Sequence, residues 1–247
     1  MVAIYKTSLR EGQHYLIQEL ANGIEENWIR YLDLCPYKIP NSLGYVEGNL
    51  EEKKLIIENR CYQTTRFRKL HLELAKVGDS LDILHCVMFP RCSYNLPIFG
   101  VDLIASQAGI GAAVVDLSPV NSDRTLAPAY TKALTNLPQI DFSRTRALPN
   151  WGDIFSKFCL FIQPQNNLEE KLFLRRVLQY LVIHCRICAT TSRAPETQAA
   201  QILSGQRYYC DRQQKNDKTR RVLEKSLGKK WTDNYMTQML FDCPENF

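Results

Sequence analysis

FRKLHLELAKV, residues 67–77, decides the fold. At its centre, Leu70-His71-Leu72-Glu73-Leu74 alternates apolar and polar side chains. An extended chain therefore turns His71 and Glu73 to one face and the leucines to the other. Similar short segments flank it: GYVEG (44–48) and KLIIENRCYQ (54–63) before, DILHCVMF (82–89), PIFGVDLIA (97–105) and IGAAVVDLSP (110–119) after. Turn signals at Gly48-Asn49, Gly78-Asp79, Tyr94-Asn95 and Gln107-Ala108-Gly109 separate these segments. Connections so short select an antiparallel meander, because parallel neighbours need crossovers of about a dozen residues or more.

Outside the strands the period becomes helical. Leu16, Ile17, Leu20, Ile24, Trp28 and Ile29 predict one amphipathic helix over 9–32, ending before Pro36. Beyond Pro119, helical stretches are expected at 128–137, 151–162, 168–188, 197–214 and 218–240, with a local loop at 192–196. Helices on both sides of the strand run in sequence can cover both faces of one sheet. The expectation is an α+β protein forming one domain over 1–247, without repeats or linkers.

Composition narrows the class of protein. No stretch approaches the roughly 20 apolar residues that cross a bilayer. The N-terminal MVAIYKTSLREGQHYLIQEL lacks the apolar centre and cleavage site of a leader, so a cytoplasmic location is expected. Nine cysteines at irregular spacing suit reduced thiols, and Cys185 and Cys188 read as core residues rather than half of a metal or redox site. The net charge of +5 is uneven: residues 206–231 carry nine Lys or Arg against three acids. Such a patch can steer an acidic protein, hold anionic substrate groups or bind nucleic acid, or be simply a solvated helix face. Phosphate-loop, GxSxG and HExxH motifs are all absent, which disfavours nucleotide folds and leaves a hydrolase without a nucleophile.

Three strands carry the chemistry. His71 and Glu73 share a face of the first; the next places His85 in an apolar run, and the third does the same with Asp102. Burial pushes a carboxyl pKa up and an imidazole pKa down, towards a common range suited to proton transfer. Taken singly, His85 and Asp102 are more often satisfied core or surface residues. Together, His71, Glu73, His85 and Asp102 are also plausible ligands for zinc or iron, although no spacing demands a metal. Near the C-terminus, Asn216 or Asp217 can cap a helix that presents Lys218, Arg220 and Arg221, and Arg144 with Arg146 makes a second cationic spot.

LGYVEGNLEEKKLIIENRCYQT, FRKLHLELAKVG, LDILHCVMFP, VVDLSPVNSDR, LPNWGDIFSKFCLFI and QQKNDKTRRVLEKSLG together resemble the ferredoxin-dependent bilin reductases, over about residues 43–242. The resemblance implies a three-layer α/β/α sandwich with a central antiparallel sheet flanked by helices. It implies no bound flavin, nicotinamide or metal. Reduced ferredoxin would supply electrons, and biliverdin IXα would lie between the sheet and the C-terminal helices and pass through bilin radicals. By motif, Glu73 would protonate the D-ring exovinyl group, while Asp102 and His85 would serve the A ring. His71 would join their hydrogen-bond network. Arg146, Asn216 and Lys218 would sit near the pigment, with Arg146 and Lys218 on its propionates, and Val222, Phe99 and Ile83 would form apolar walls. Glu73 together with His85 implies the four-electron product phycocyanobilin. The partners implied are biliverdin and ferredoxin, the latter on the basic C-terminal region, with no nucleic acid, no membrane and a monomeric chain. Two departures from the family pattern stand out: Phe-Gly-Val-Asp where cysteine commonly precedes the aspartate, and Arg-Ala-Leu-Pro where glutamate often follows the arginine.

Overall fold

The computed structural model describes residues 7–244, so the reading of the N-terminal stretch and the outer bounds of the 1–247 domain fall partly outside the described residues. Eight strands form one antiparallel sheet: β1 Cys35–Pro36, β2 Tyr45–Leu50, β3 Lys53–Gln63, β4 Phe67–Val77, β5 Leu81–Pro90, β6 Ile98–Ser106, β7 Gly109–Ser118 and β8 Leu160–Ile162. From β3 to β7 they meander in chain order, with β1 and β2 sharing the outer edge of β3 and β8 closing the far edge on β7.

The helices are α1 Ser8–Glu11, α2 Tyr15–Tyr31, α3 Asn41–Gly44, α4 Pro128–Thr135, α5 Asn167–Thr190, α6 Glu196–Gln213, α7 Asp217–Leu227 and α8 Lys229–Tyr235, which runs into a π-turn at Met236–Leu240. They cover the sheet on both faces, giving the expected three layers. On one face Leu70, Leu72 and Leu74 of β4 pack with Leu16, Leu20, Ile24 and Trp28 of α2 and Phe173, Val177 and Leu181 of α5. Gly23 lets α5 approach, since a Cβ there would sit 2.9 Å from Leu178 Cδ2. On the other face Ala75, Val87 and Phe89 meet Ile202 and Tyr209 of α6, Leu223 of α7 and Tyr235, Met236, Met239 and Phe241 of the C-terminal segment. Among the described residues, no helix is long and apolar enough to cross a membrane.

Four expectations are corrected. The helix over 9–32 is broken: His14 caps α2 by accepting from Leu16 N–H, and the Gln13 amide donates 2.8 Å to Ala75 O in the sheet. Gly48-Asn49 is not a turn but the middle of β2. A Cβ on Gly48 would lie 2.5 Å from Leu227 Cδ2, so glycine serves the close approach of α7, and the turn falls on Glu51 and Glu52 at φ 50° and 65°. Residues 151–162 form a 3-10 turn at Gly152–Ile154 and then β8, because Asp116 takes Ser156 N–H (2.9 Å) and Oγ–H (2.6 Å) and draws the chain to the sheet edge. The stretch 218–240 breaks at Gly228, whose φ of 82° stops α7 and starts α8.

Candidate functional site

Strand register aligns the acids and imidazole. Asn59 on β3 faces Glu73 on β4, which faces His85 on β5, which faces Asp102 on β6, which faces Val114 on β7, which faces Phe161 on β8. Residues opposite one another in a sheet project to the same side, so this is one continuous row on the face covered by α6, α7 and the C-terminal segment. Burial grades along it. Asn59, Glu73 and His85 are buried, Val114 and Phe161 are partly open, and the Asp102 side chain is 46% exposed.

At the buried end, Tyr235 roofs Glu73. Its hydroxyl lies 2.6 Å from Glu73 Oε2 and 2.9 Å from Asn59 Oδ1. The Asn59 amide N–H donates 2.7 Å to Leu43 O, which leaves Oδ1 as an acceptor and assigns the proton of His71, 2.7 Å away, to Nε2. The single Tyr235 proton serves either neighbour. With Glu73 ionised, Tyr235 donates to it; with Glu73 protonated, the carboxyl donates to Tyr235, which donates to Asn59.

Burial raises the Glu73 pKa, against the opposing effects of His85 and the Tyr235 hydrogen bond, so the site favours a loaded carboxylic acid. His71 is held well below the ordinary imidazole range, first by burial and then by Lys69 and His85, so it stays neutral. His85 differs. Burial would lower it, but Asp102, 2.5 Å from Nδ1, outweighs that and raises its pKa. His85 Nε2 is buried without a hydrogen-bond partner, so a cationic His85 presents an unspent N–H on the site face. Asp116 provides the contrast. It is buried and raised by desolvation, yet its oxygens are committed to Ser118 and Ser156, which makes it a structural acid.

The remaining expected residues divide. Arg146 is exposed at the β8 end of the row, its guanidinium 5.2 Å from the Phe161 ring centre and donating to Gly111 O. Ile83 lies on the site face, partly open, in cross-strand register with Ile104, which is 38% exposed. Phe99 is a correction: its parity on β6 sends it to the opposite core, fully buried and stacked on His184. Asn216, Lys218 and Val222 are gathered on α7, with Asn216 as the N-cap. Among the described residues, no hydrogen bond or ion pair ties those three to the row. Their helix reaches it through α8, by an Arg220–Asp233 ion pair.

Sequence reasoning missed Tyr235, Asn59 and the anchor of the roof. Phe241 sits edge-on to His85 at 5.6 Å. The next residue, Asp242, is gripped by Arg68 and by Lys69, whose buried ammonium also donates 2.7 Å to Met239 O. The Trp231–Tyr235 stack at 4.6 Å was visible only as two aromatics at i,i+4 in a helical stretch. Cys185 and Cys188 are buried, with their thiols pushed up to about 12 and about 11 by burial, and make no site. Among the described residues, no group of three or more His, Cys, Asp or Glu is arranged to hold a metal.

The profile described as ferredoxin-dependent bilin reductase matches residues 21–242. The chain is 54% identical over 243 residues to a phycocyanobilin:ferredoxin oxidoreductase of a Synechococcus strain, covering 98% of both chains. It is 55% identical over 232 residues to the protein of that name from Trichodesmium erythraeum, covering 94% of this chain and 95% of that one. Its fold is similar to the crystal structure of phytochromobilin synthase from tomato in complex with biliverdin, at a TM-score of 0.71 and 15% identity, covering 92% of this chain and 84% of that one.

Proposed function

The chain belongs to the ferredoxin-dependent bilin reductases, and from that premise we propose that it reduces biliverdin IXα to phycocyanobilin with four electrons from ferredoxin. The observation that carries the reading is the cross-strand row Glu73–His85–Asp102, two carboxyls and an imidazole aligned on one sheet face.

The reaction adds four electrons and four protons to the pigment. Ferredoxin delivers single electrons, so each intermediate carries an unpaired electron until a proton traps it; the protein's part is to hold acids at the right carbons. Glu73 protonates the D-ring exovinyl group first, and burial, which raises its pKa, favours the loaded acid. Tyr235, itself held by Asn59, donates to the ionised Glu73 carboxylate and accepts from the protonated acid, so it orients the carboxyl in either state. His85 and Asp102 then serve the A-ring side, where the half-open Asp102 can be reloaded from water. The partly exposed apolar strip of Ile83, Ile104, Val114 and Phe161 offers a wall for the conjugated system. Arg146 and Lys218 hold the propionates, while Asn216 and Val222 flank the pigment from α7. The basic segment 206–231 meets acidic ferredoxin. In this reading the protein acts as a single-domain cytoplasmic monomer with no resident cofactor, the pigment itself holding each odd electron.

The test is anaerobic mixing with biliverdin and reduced ferredoxin, followed by chromatography of the pigment. Phycocyanobilin formed at four reduced ferredoxins per bilin is expected. Unaltered biliverdin would make the protein a carrier, and a phycoerythrobilin-type product would make it a sister reductase; either overturns the proposal.

A further inference from the structure

Two cysteines outside the row meet where the chain end is tied down. Cys210, buried on α6, donates its thiol to the Asp242 carbonyl at 3.4 Å. Exposed Cys243 points its thiol at Asp211 Oδ1, 3.9 Å away. The contacts are crosswise: each thiol touches the residue next to the other cysteine, so both cysteines sit at the junction of α6 with the strap at 241–244.

Their environments differ. The Cys210 contact and Arg68 pull the Cys243 thiol down to about 7, against burial and Asp211, and the same contact pushes Cys210 up. Buried Cys61, Cys86 and Cys185 are all pushed up by desolvation. An exposed thiolate beside a protonated thiol is the arrangement of an attacking and a resolving cysteine.

We infer that Cys210 and Cys243 are an oxidisable pair whose disulfide fastens the strap to α6 and so restrains the roof over the proton-donor row. The oxidant is a hydroperoxide. The Cys243 thiolate attacks a peroxide oxygen: an S–O bond forms, the O–O bond breaks and hydroxide leaves. Cys210 sulfur then attacks that sulfur, forming the S–S bond as the S–O bond breaks. The released oxygen takes the Cys210 proton and leaves as water, and the proton that Cys243 gave up on ionising neutralises the hydroxide. Two thiols and one hydrogen peroxide give one disulfide and two waters. The link to function follows from the strap itself, which carries Phe241 against His85 and Asp242 on Lys69. A bilin that must enter beneath Tyr235 and Phe241 needs this segment to yield, a consequence that rests on the functional reading above.

The full-length protein is treated with hydrogen peroxide, alkylated, digested and analysed by mass spectrometry, with biliverdin association measured in parallel. A peptide linking Cys210 to Cys243 is expected, reversed by dithiothreitol and absent in C210S and C243S. Oxidation should slow biliverdin association several-fold in the wild type and leave C243S unchanged. Over-oxidised Cys243 without a linked peptide would overturn the pair, and a linked peptide with unaltered association would overturn its action on the roof. Failure of the reduced protein to take up biliverdin would instead overturn the functional reading, while the linked peptide would still decide the disulfide.

Discussion

Replacing Tyr235 with phenylalanine removes one oxygen and keeps the ring, so it isolates the hydroxyl. That oxygen is fully buried, 2.6 Å from Glu73 Oε2 and 2.9 Å from Asn59 Oδ1. Asn59 Oδ1 keeps His71 as a partner, whereas the buried Glu73 carboxyl loses its Tyr235 hydrogen bond. Stranding one buried polar atom costs about 1–3 kcal/mol, so Y235F should lower unfolding stability by that amount at neutral pH, with an unchanged denaturant slope. The hydroxyl also opposes the desolvation that raises Glu73, so the carboxyl pKa should rise further in the variant. Urea unfolding gives the first quantity. Infrared titration of the carboxyl band, assigned by its loss in E73Q, gives the second. Equal stability and an unmoved Glu73 titration would refute the assignment of Tyr235 as the group that gates this proton.

D102N should cost about 1–2 kcal/mol, discounted because Asp102 is half exposed. His85 has its folded pKa raised, so its contribution is fully present below the unfolded value near about 6.5 and is lost as pH rises through the folded value. The gap between wild type and D102N in urea midpoints should therefore be widest in acid and close in alkali. D242N leaves the buried Lys69 ammonium without its counter-charge and should cost about 3–5 kcal/mol, much of it restored in K69M/D242N, as read by denaturant titration of the set. G205A puts a Cβ 1.8 Å from the Val120 carbonyl oxygen; a backbone clash of about 3 kcal/mol lowers the melting temperature by about 6–12 °C in a scanning fluorimetry comparison.

The alternation in Leu70–Leu74 sorted side chains correctly between two faces, and short turns sorted strands into a meander, because period and loop length are local properties. Whether His85 or its neighbour two residues away would face Glu73 was not local. The tight turn at 78–80 sets that register, whereas Phe99, three residues from Asp102 on the same strand, takes the opposite face by alternation alone. Tyr235 was illegible for a different reason. Its partners Glu73 and Asn59 are distant in sequence, and only the break at Gly228 and the π-turn after Tyr235 bring it over the sheet. Gly48 misled because a glycine that makes room for Leu227 looks, in one dimension, like a glycine that makes a turn.

The central claim is that the buried carboxyl and the His85–Asp102 pair serve different ends of one pigment. Product analysis of anaerobic turnover by E73Q and D102N, with reduced ferredoxin in excess, tests it most directly. E73Q should leave the D-ring vinyl group intact, releasing an A-ring-reduced or unaltered bilin, while D102N should accumulate a bilin radical visible by electron paramagnetic resonance. Full phycocyanobilin from E73Q at the wild-type rate would contradict the account.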